Sequence, residues 1–334
     1  MKKNDTGDTG SKRVRRIAVT GVNSFIGSHI IKKLAGNPNY QIIAIDLRKP
    51  AISGKNIKFY KIDLTEPMVD AVIAKLFKKE KIEEVIHLAF LSGPIKNTGL
   101  SHELEVIGTL NIIHASAAAK VRKFLIRSTT MAYGANATNP NFLTEEHPLA
   151  SNTGMAYLRD KVEIEHLVKR FKEKNPQTVV TVLRLCAILG PTINNFLTSY
   201  LASPVIPKIL GFDPLVQFVH EDDAINAFVI AAKDDYPGIF NIVGKGVLPY
   251  STVIKLLGKL SISFPYPIAY STISLLWSLN LSPVPPTFLN FIRYTWLADG
   301  DKAKKIMKYE PRYSIKETIE SFIGTQRLRD LKLA

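Results

Sequence analysis

An α/β fold, a doubly wound parallel sheet followed by a smaller and mainly helical C-terminal lobe, is what this sequence predicts. Three observations predict it. Short apolar or strand-like runs recur at 17–20, 42–45, 57–62, 85–90, 124–126 and 179–185, and between them the apolar residues fall at helical spacing. Strand alternating with helix argues for a parallel sheet covered on both faces. The first run also ends in a small-residue turn, Gly21-Val22-Asn23-Ser24-Phe25-Ile26-Gly27, and the second closes on an acid, Asp46.

The opening unit organises the rest. Strand, turn, helix, strand and acid, in that order, form the local signature of a dinucleotide-binding, Rossmann-type unit. Gly21 permits the sharp turn, and Gly27 lets the helix lie close to the strand. Free N–H groups at the helix start, around Asn23, Ser24, Phe25 and Ile26, suit a pyrophosphate. Asp46 stands where a carboxylate accepts hydrogen bonds from a ribose. Serine occupies position 24 where the usual pattern has glycine; it is small, and its hydroxyl is a potential phosphate donor.

Further along, a strand at Ile57–Ile62 ends in Asp63-Leu64. A helix at Met68–Glu80 carries Val69, Val72, Ile73, Leu76 and Phe77 on one face. The strand at 85–88 continues into Ala89-Phe90. A long helix covers Glu103–Ala119, and the strand around 124–126 leads to Ser128-Thr129-Thr130. In such sheets the ligand lies beyond the carboxyl ends of the strands, which singles out 21–27, Asp46, Asp63-Leu64, Ala89-Phe90 and 128–130. His87 has no second ligand at metal spacing and reads as a core histidine, so no metal site is assigned.

A helix beginning near Gly154 carries Tyr157 and Lys161, four residues apart and therefore on one face. A positive charge beside a phenol favours the phenolate, bringing the hydroxyl toward working pH. Such a tyrosine exchanges a proton with an alcohol or carbonyl while hydride moves to or from a nicotinamide. The bland alternative is a solvent-facing pair. After the strand 179–185, Gly190-Pro191 marks an exit from the sheet. Residues 192–214 read as a loop-rich excursion, and Asp222 and Asp223 as helix-capping acids before a helix at 224–232. The strand 239–243 returns to the sheet. The remainder reads as mainly helical, with an apolar, proline-punctuated piece at 264–286 and an aromatic stripe (Phe288, Phe291, Tyr294, Trp296) suited to core, to a greasy lid or to a dimer face.

The division expected is a basic, disordered tail at 1–13, a dinucleotide-binding domain at 14–190 to which 215–245 returns, and a substrate lobe at 191–214 and 246–330. At 334 residues, 46% of them hydrophobic, the chain has ample core-forming capacity. Its net charge of +15 is spread along helices without an aromatic-rich basic module, which disfavours a specific nucleic-acid site. One cysteine, Cys186, excludes an internal disulfide and reads as a buried, inert thiol. With neither a signal peptide nor an apolar run of about 18 residues, the default location is the cytoplasm.

Taken together, these pieces resemble the extended short-chain dehydrogenase/reductase family, the NAD-dependent epimerase/dehydratase group. The resemblance runs from about Arg16 to about Phe322. It rests on Gly21…Gly27, Asp46, Asp63-Leu64, His87-Leu88-Ala89-Phe90, Ser128-Thr129…Tyr133-Gly134, Tyr157…Lys161, Arg184, Gly190-Pro191, Phe218-Val219-His220…Asp223 and Asn241…Gly244. It implies Tyr157 as general acid/base, and Lys161 holding the nicotinamide ribose and tuning Tyr157. It implies Thr129 as the hydroxyl that hydrogen-bonds the reacting oxygen. Asp63 and Leu64 would flank the adenine, and Leu88, Ala89 and Phe90 would lie along the cofactor. Asp46 favours NAD, while Arg48 leaves NADP open. Glu105 departs from the family's asparagine. Thr130 and Met131 stand where dehydratases carry an Asp-Glu pair, which argues against their elimination chemistry.

The expected function is that of an NAD-dependent oxidoreductase or epimerase, with hydride transfer at a secondary alcohol or ketone, either of a nucleotide sugar or of an apolar, sterol-like compound at a membrane surface; epimerisation and simple dehydrogenation use the same catalytic residues. The competing reading is a non-catalytic NAD(P)-binding structural or sensing protein; the retained Thr129, Tyr157 and Lys161 speak against it. The expected partner is a small-molecule substrate. A homodimer is suggested by the resemblance, and a membrane surface is compatible with the basic, apolar chain without being favoured.

Overall fold

The computed structural model describes residues 14–150, 154–282 and 284–333; the expected tail at 1–13 lies outside them. Its centre is a seven-stranded, wholly parallel sheet. In chain order the strands and their covering helices are β1 (Arg15–Thr20), α1 (Phe25–Leu34), β2 (Tyr40–Asp46), β3 (Ile57–Lys61), α2 (Val69–Lys79), β4 (Glu84–His87), α3 (Thr98–His102), α4 (Gly108–Ala119), β5 (Lys123–Thr129), α5 (Ala156–Lys174) and β6 (Val179–Leu185). Then come β7 (Ala187–Leu189), α6 (Phe196–Ala202), β8 (Val205–Ile209), β9 (Leu215–Val216), β10 (Phe218–His220), α7 (Glu221–Lys233) and β11 (Gly238–Ile242). The chain ends with β12 (Leu248–Pro249), α8 (Tyr250–Leu256), β13 (Leu260–Phe264), α9 (Tyr266–Ser278) and α10 (Ile315–Leu333).

The sheet order is β11-β6-β5-β4-β1-β2-β3. Strand order therefore reverses between β1 and β4, and a crevice opens there at the carboxyl ends of the strands. Register is fixed by the apolar runs, which are buried on both faces: Val19 pairs with Ala44 on one side and Ile86 on the other. One core layer joins Ile17, Val19, Ile30, Leu183 and Phe228; the opposite face packs Ile43, Phe77, Phe124 and Phe171. A separate apolar core holds Tyr200, Ile206, Phe218, Val253, Phe288 and Phe291. The chain thus builds a second packed body beside the sheet.

Two expectations are corrected here. Residues 192–214 are not chiefly loop: they form α6 and β8, and β8 pairs in parallel with β13. The same pairing makes the 249–334 region less purely helical than its apolar pattern suggests. Helix 103–119 also has an internal irregularity, a π-helical turn at Glu103–Ile107 ahead of α4. Such turns re-aim side chains within a helix, and here the re-aimed residue includes Glu105. Among the described residues no helix is long and apolar enough to cross a membrane.

Candidate active site

The turn after β1 is built as the sequence requires. Gly21 has φ +67°, and a Cβ there would stand 2.5 Å from the backbone of Leu88 and Ala89. A Cβ on Gly27 would stand 2.2 Å from the Gly21 carbonyl oxygen. Position 24 has neither demand. Ser24 sits at φ −65°, ψ 159°, caps α1, and its Oγ accepts from the Gly27 N–H at 3.1 Å. This explains why serine is tolerated there. The N–H groups of Phe25 and Ile26 have no hydrogen-bond partner among the described residues.

Beyond this turn lies a cavity of about 320 Å³ lined by Gly21, Asn23, Ser24, Asp46, Arg48, Asp63, Leu64, Leu88, Ala89 and Phe90, among others. Asp46 accepts from the Asn23 N–H at 3.0 Å through one carboxylate oxygen, which ties the end of β2 to the turn. Asp46 Oδ1 also accepts from the Arg48 N–H at 3.4 Å, and Asp63 Oδ1 accepts from both the N–H and the hydroxyl of Thr65. Of the cofactor residues expected from the sequence, Gly21, Asn23, Ser24, Asp46, Arg48, Asp63, Leu64, Leu88, Ala89 and Phe90 line this crevice, Phe25, Ile26 and Lys161 line the adjoining cavity, and Gly27 lines neither but packs against the Gly21 carbonyl.

That adjoining cavity measures about 390 Å³ and shares Ser24 and Phe90 with the first. Tyr157, Lys161 and Thr129 all line it, so the solvent-facing alternative for the pair is excluded. Tyr157 is 8% exposed, and its hydroxyl has no hydrogen-bond partner among the described residues. The Lys161 ammonium lies 5.2 Å from the centroid of the Tyr157 ring and 4.2 Å from that of Phe90. Thr129 Oγ1 accepts from the Met131 N–H at 3.2 Å and keeps its own proton to donate.

Glu105 changes the electrostatics. Wholly buried, it places Oε2 2.9 Å from Lys161 Nζ, while Oε1 accepts from the Leu91 N–H at 3.0 Å. The expected lowering of the phenol by Lys161 is not found; the shift runs the other way, chiefly through burial. Burial, and then the Glu105 carboxylate, hold Tyr157 above the ordinary range for a phenol, with Arg127 opposing them. Burial lowers Lys161 to about 8 against the attraction of Glu105. The free protein thus carries a protonated tyrosine beside a lysine whose charge is balanced.

Glu165 and Glu221 were not singled out by pattern, and Tyr133, Arg184 and Asn241 were named only as pieces of the resemblance, without a role. Glu165, one helical turn past Lys161, accepts Ser128 Oγ at 2.6 Å and pairs with Arg184 at 2.6 Å. Arg184 also donates to Tyr133 Oη, which donates to Asn241 Oδ1. This buried network fixes the end of β5, and with it Thr129. Glu221 accepts from the N–H groups of Thr192 and Ile193, setting the loop that carries cavity residue Ile193. The i,i+4 spacing of Glu165 from Lys161 was the available signal; the distant partners left none. Asp223 does more than sit at a helix start, for it accepts from the N–H groups of Arg312 and Tyr313 and pins the C-terminal segment. His87 is the core residue expected, bonded to Thr20 and Thr109 and held near pKa 3 by burial. Burial likewise pushes the Cys186 thiol up to about 12.

Away from the cofactor crevice the larger cavity is apolar. Phe196, Leu197, Leu201, Phe218, Phe288 and Phe291 form much of its wall. The charged side chains lining it are Arg127 and Lys161. At the far side Tyr200 and Tyr250 share a hydrogen bond of 2.6 Å.

Comparison with known proteins agrees with this architecture. The sequence pattern of the NAD dependent epimerase/dehydratase family matches residues 17–243. An uncharacterized protein of Mycobacterium tuberculosis is 27% identical over 319 residues, covering 94% of this chain and 84% of that protein. UDP-glucuronic acid decarboxylase 1 of Arabidopsis thaliana is 22% identical over 367 residues, covering 96% and 72%. Among solved structures, MoeE5 in complex with UDP-glucuronic acid and NAD superposes with a TM-score of 0.72 at 19% identity, covering 94% and 99%. The UDP-glucose 4-epimerase of Thermotoga maritima gives 0.71 at 22%, with the same coverage. The chain belongs to the NAD dependent epimerase/dehydratase family, a family of enzymes.

Proposed function

We propose that this member of the NAD dependent epimerase/dehydratase family transfers hydride between NAD and a secondary alcohol or ketone, with Tyr157 as the proton donor and acceptor. The observation that carries the proposal is the placement of Tyr157, Lys161 and Thr129 on one cavity wall, next to a glycine turn with unpartnered N–H groups. The residues fit the cofactor. Phe25 and Ile26 N–H groups would hold a pyrophosphate, and Asp46 would accept from an adenosine ribose and disfavour a 2′-phosphate. Lys161 retains ammonium protons for a second ribose after pairing with Glu105. When bound, NAD supplies the hydride acceptor.

The chain's own residues handle the proton. Tyr157 and Thr129 hydroxyls would hold the substrate oxygen from one side. A phenol kept protonated in the free protein is ready to donate to a carbonyl, the reducing direction. Oxidation of an alcohol requires the phenol to lose its proton first, and a cationic cofactor in the cavity would favour that loss. The expected division into a cofactor domain and a substrate lobe is part of this proposal, supported by the apolar core around Tyr200 and Phe288, which also takes in Met131, Tyr157 and Leu158.

For the substrate we favour an apolar body. The cavity wall is mostly aromatic and aliphatic, and its two cations stand by the catalytic tyrosine rather than deep in the lobe. A nucleotide sugar is the second reading, supported by the substrates named for MoeE5 and the Thermotoga epimerase. Incubation of purified protein with NAD or NADH against hydrophobic ketones and alcohols, and separately against UDP-sugars, distinguishes them. Product identity must be followed as well as NADH absorbance, because an epimerase regenerates its cofactor. Turnover of an apolar ketone supports the favoured reading; epimerisation of UDP-sugars alone overturns it.

A further inference from the structure

The lobe beside the cofactor domain has an outer face that the proposed reaction does not use. Helix α9 contains no charged residue and buries only Ala269. Ile268, Leu275, Leu279 and Leu281 along and just past it are 56%, 61%, 57% and 69% exposed. Leu260 and Ile262 on β13, and Val205 and Leu210 at β8, extend the exposed apolar surface of the same lobe. Exposed leucines in isolation are ordinary, but this many on one lobe mark a surface that is covered when in use.

Charge says what covers it. From Tyr236 to Ala298 the chain has no aspartate or glutamate, yet it carries Lys245, Lys255, Lys259 and Arg293. Pro191–Phe212 is also free of acids and adds Lys208. At the end of α9, Lys96 donates to the Ser278 carbonyl and lies 5.5 Å from the Trp277 ring. The intervening acid, Asp213, is occupied in capping α8 through Ser251. Lys245 lies near Glu317 and Arg293 is half-buried among Phe212, Tyr266 and Tyr294, but Lys96 and Lys255 are exposed, and two copies meeting through this lobe would bring these lysines together. An anionic bilayer supplies the missing charge and an apolar layer for the leucines. Trp277, Tyr266 and Tyr270 are the residue types that settle at such an interface.

We infer that α9 and the neighbouring β13–β8 edge form a docking face for anionic lipid bilayers. The helix lies in the interface plane without spanning it. It packs on the 286–292 turn, whose Phe288 and Phe291 wall the larger cavity. A membrane-borne apolar substrate therefore has one layer of side chains between the lipid and the site. The docking face stands independently of the reaction proposed above.

Flotation of the full chain with vesicles of dioleoylphosphatidylglycerol, and separately of dioleoylphosphatidylcholine, tests this. The protein is expected to float with the anionic vesicles and to be released as salt rises. Leu275→Glu combined with Leu279→Glu should lower partitioning by at least about tenfold, since each leucine loses its apolar burial. NADH binding by that variant should match the parent, which shows that the fold is intact. Absence of flotation with either lipid overturns the inference. So does a parent that dimerises in light scattering through this face while ignoring vesicles, with the double variant monomeric. Loss of NADH binding in the parent would bear on the proposed reaction and not on this face.

Discussion

Replacing Glu105 by glutamine removes the carboxylate behind Lys161 while keeping its shape. The consequence follows from the lysine. In the folded protein Lys161 titrates at about 8, below its ordinary 10.5, with burial as the chief cause and Glu105 opposing it. A lysine whose folded pKa is depressed costs stability while both states are protonated. That cost, of order 3 kcal/mol here, applies below pH 8 and is relieved as pH rises from 8 toward 10.5. Without the carboxylate the folded pKa falls further. The ammonium need not stay buried and unpaired, because it can lose its proton. At pH 7 that escape caps the lysine's cost at about 5 kcal/mol, so E105Q loses about 1–2 kcal/mol relative to the parent. Its stability should begin to climb with pH at a lower pH than the parent's. Denaturant unfolding between pH 6 and 10 measures both effects. The phenol should respond too: with one cause of its elevation gone, the pH profile of turnover moves to lower pH for the oxidative direction. Glu105→Asp, which keeps a charge, serves as the control. Unchanged pH dependence of stability in E105Q would refute the argument, as would a loss of 3–5 kcal/mol that does not vary with pH.

Other outcomes follow from single contacts. Ser24→Ala removes the cap of α1 and should cost about 1 kcal/mol in urea unfolding, whereas Ser24→Gly should cost only a few tenths. Asp46→Ala should weaken NADH binding and narrow its preference over NADPH, as read by nucleotide fluorescence titration; an unchanged preference removes Asp46 from cofactor selection. Arg184→Met leaves Glu165 buried without its partner and should cost about 3–5 kcal/mol, with Ser128 and Thr129 losing their fixed setting. Thermal unfolding checks the first part and turnover the second.

The sheet was legible because its strands are buried on both faces and so leave unbroken apolar runs, as in β2 and β6. The turn was legible because Gly21 and Gly27 meet backbone that leaves no room for a Cβ. The Tyr157 and Lys161 pairing was legible as a spacing, since four residues on a helix is a local relation. What escaped notice was set by distant partners. β8 was hidden in an apparent loop because its partner, β13, lies more than fifty residues on. The Glu105 carboxylate was seen as a departure from pattern, but the raised phenol came first from the burial of Tyr157, a tertiary property, and then from Glu105, set on a π-helical turn that sequence periodicity does not announce. Glu165 and Arg184 meet only because α5 packs back on β6.

The account turns on one hydroxyl, and Tyr157→Phe tests it most directly. Single-turnover reaction of the variant with saturating NADH and the identified carbonyl substrate should show cofactor bound as in the parent but hydride transfer slowed by about 10²-fold or more. Hydride transfer at the parental rate, with NADH equally bound, would contradict it.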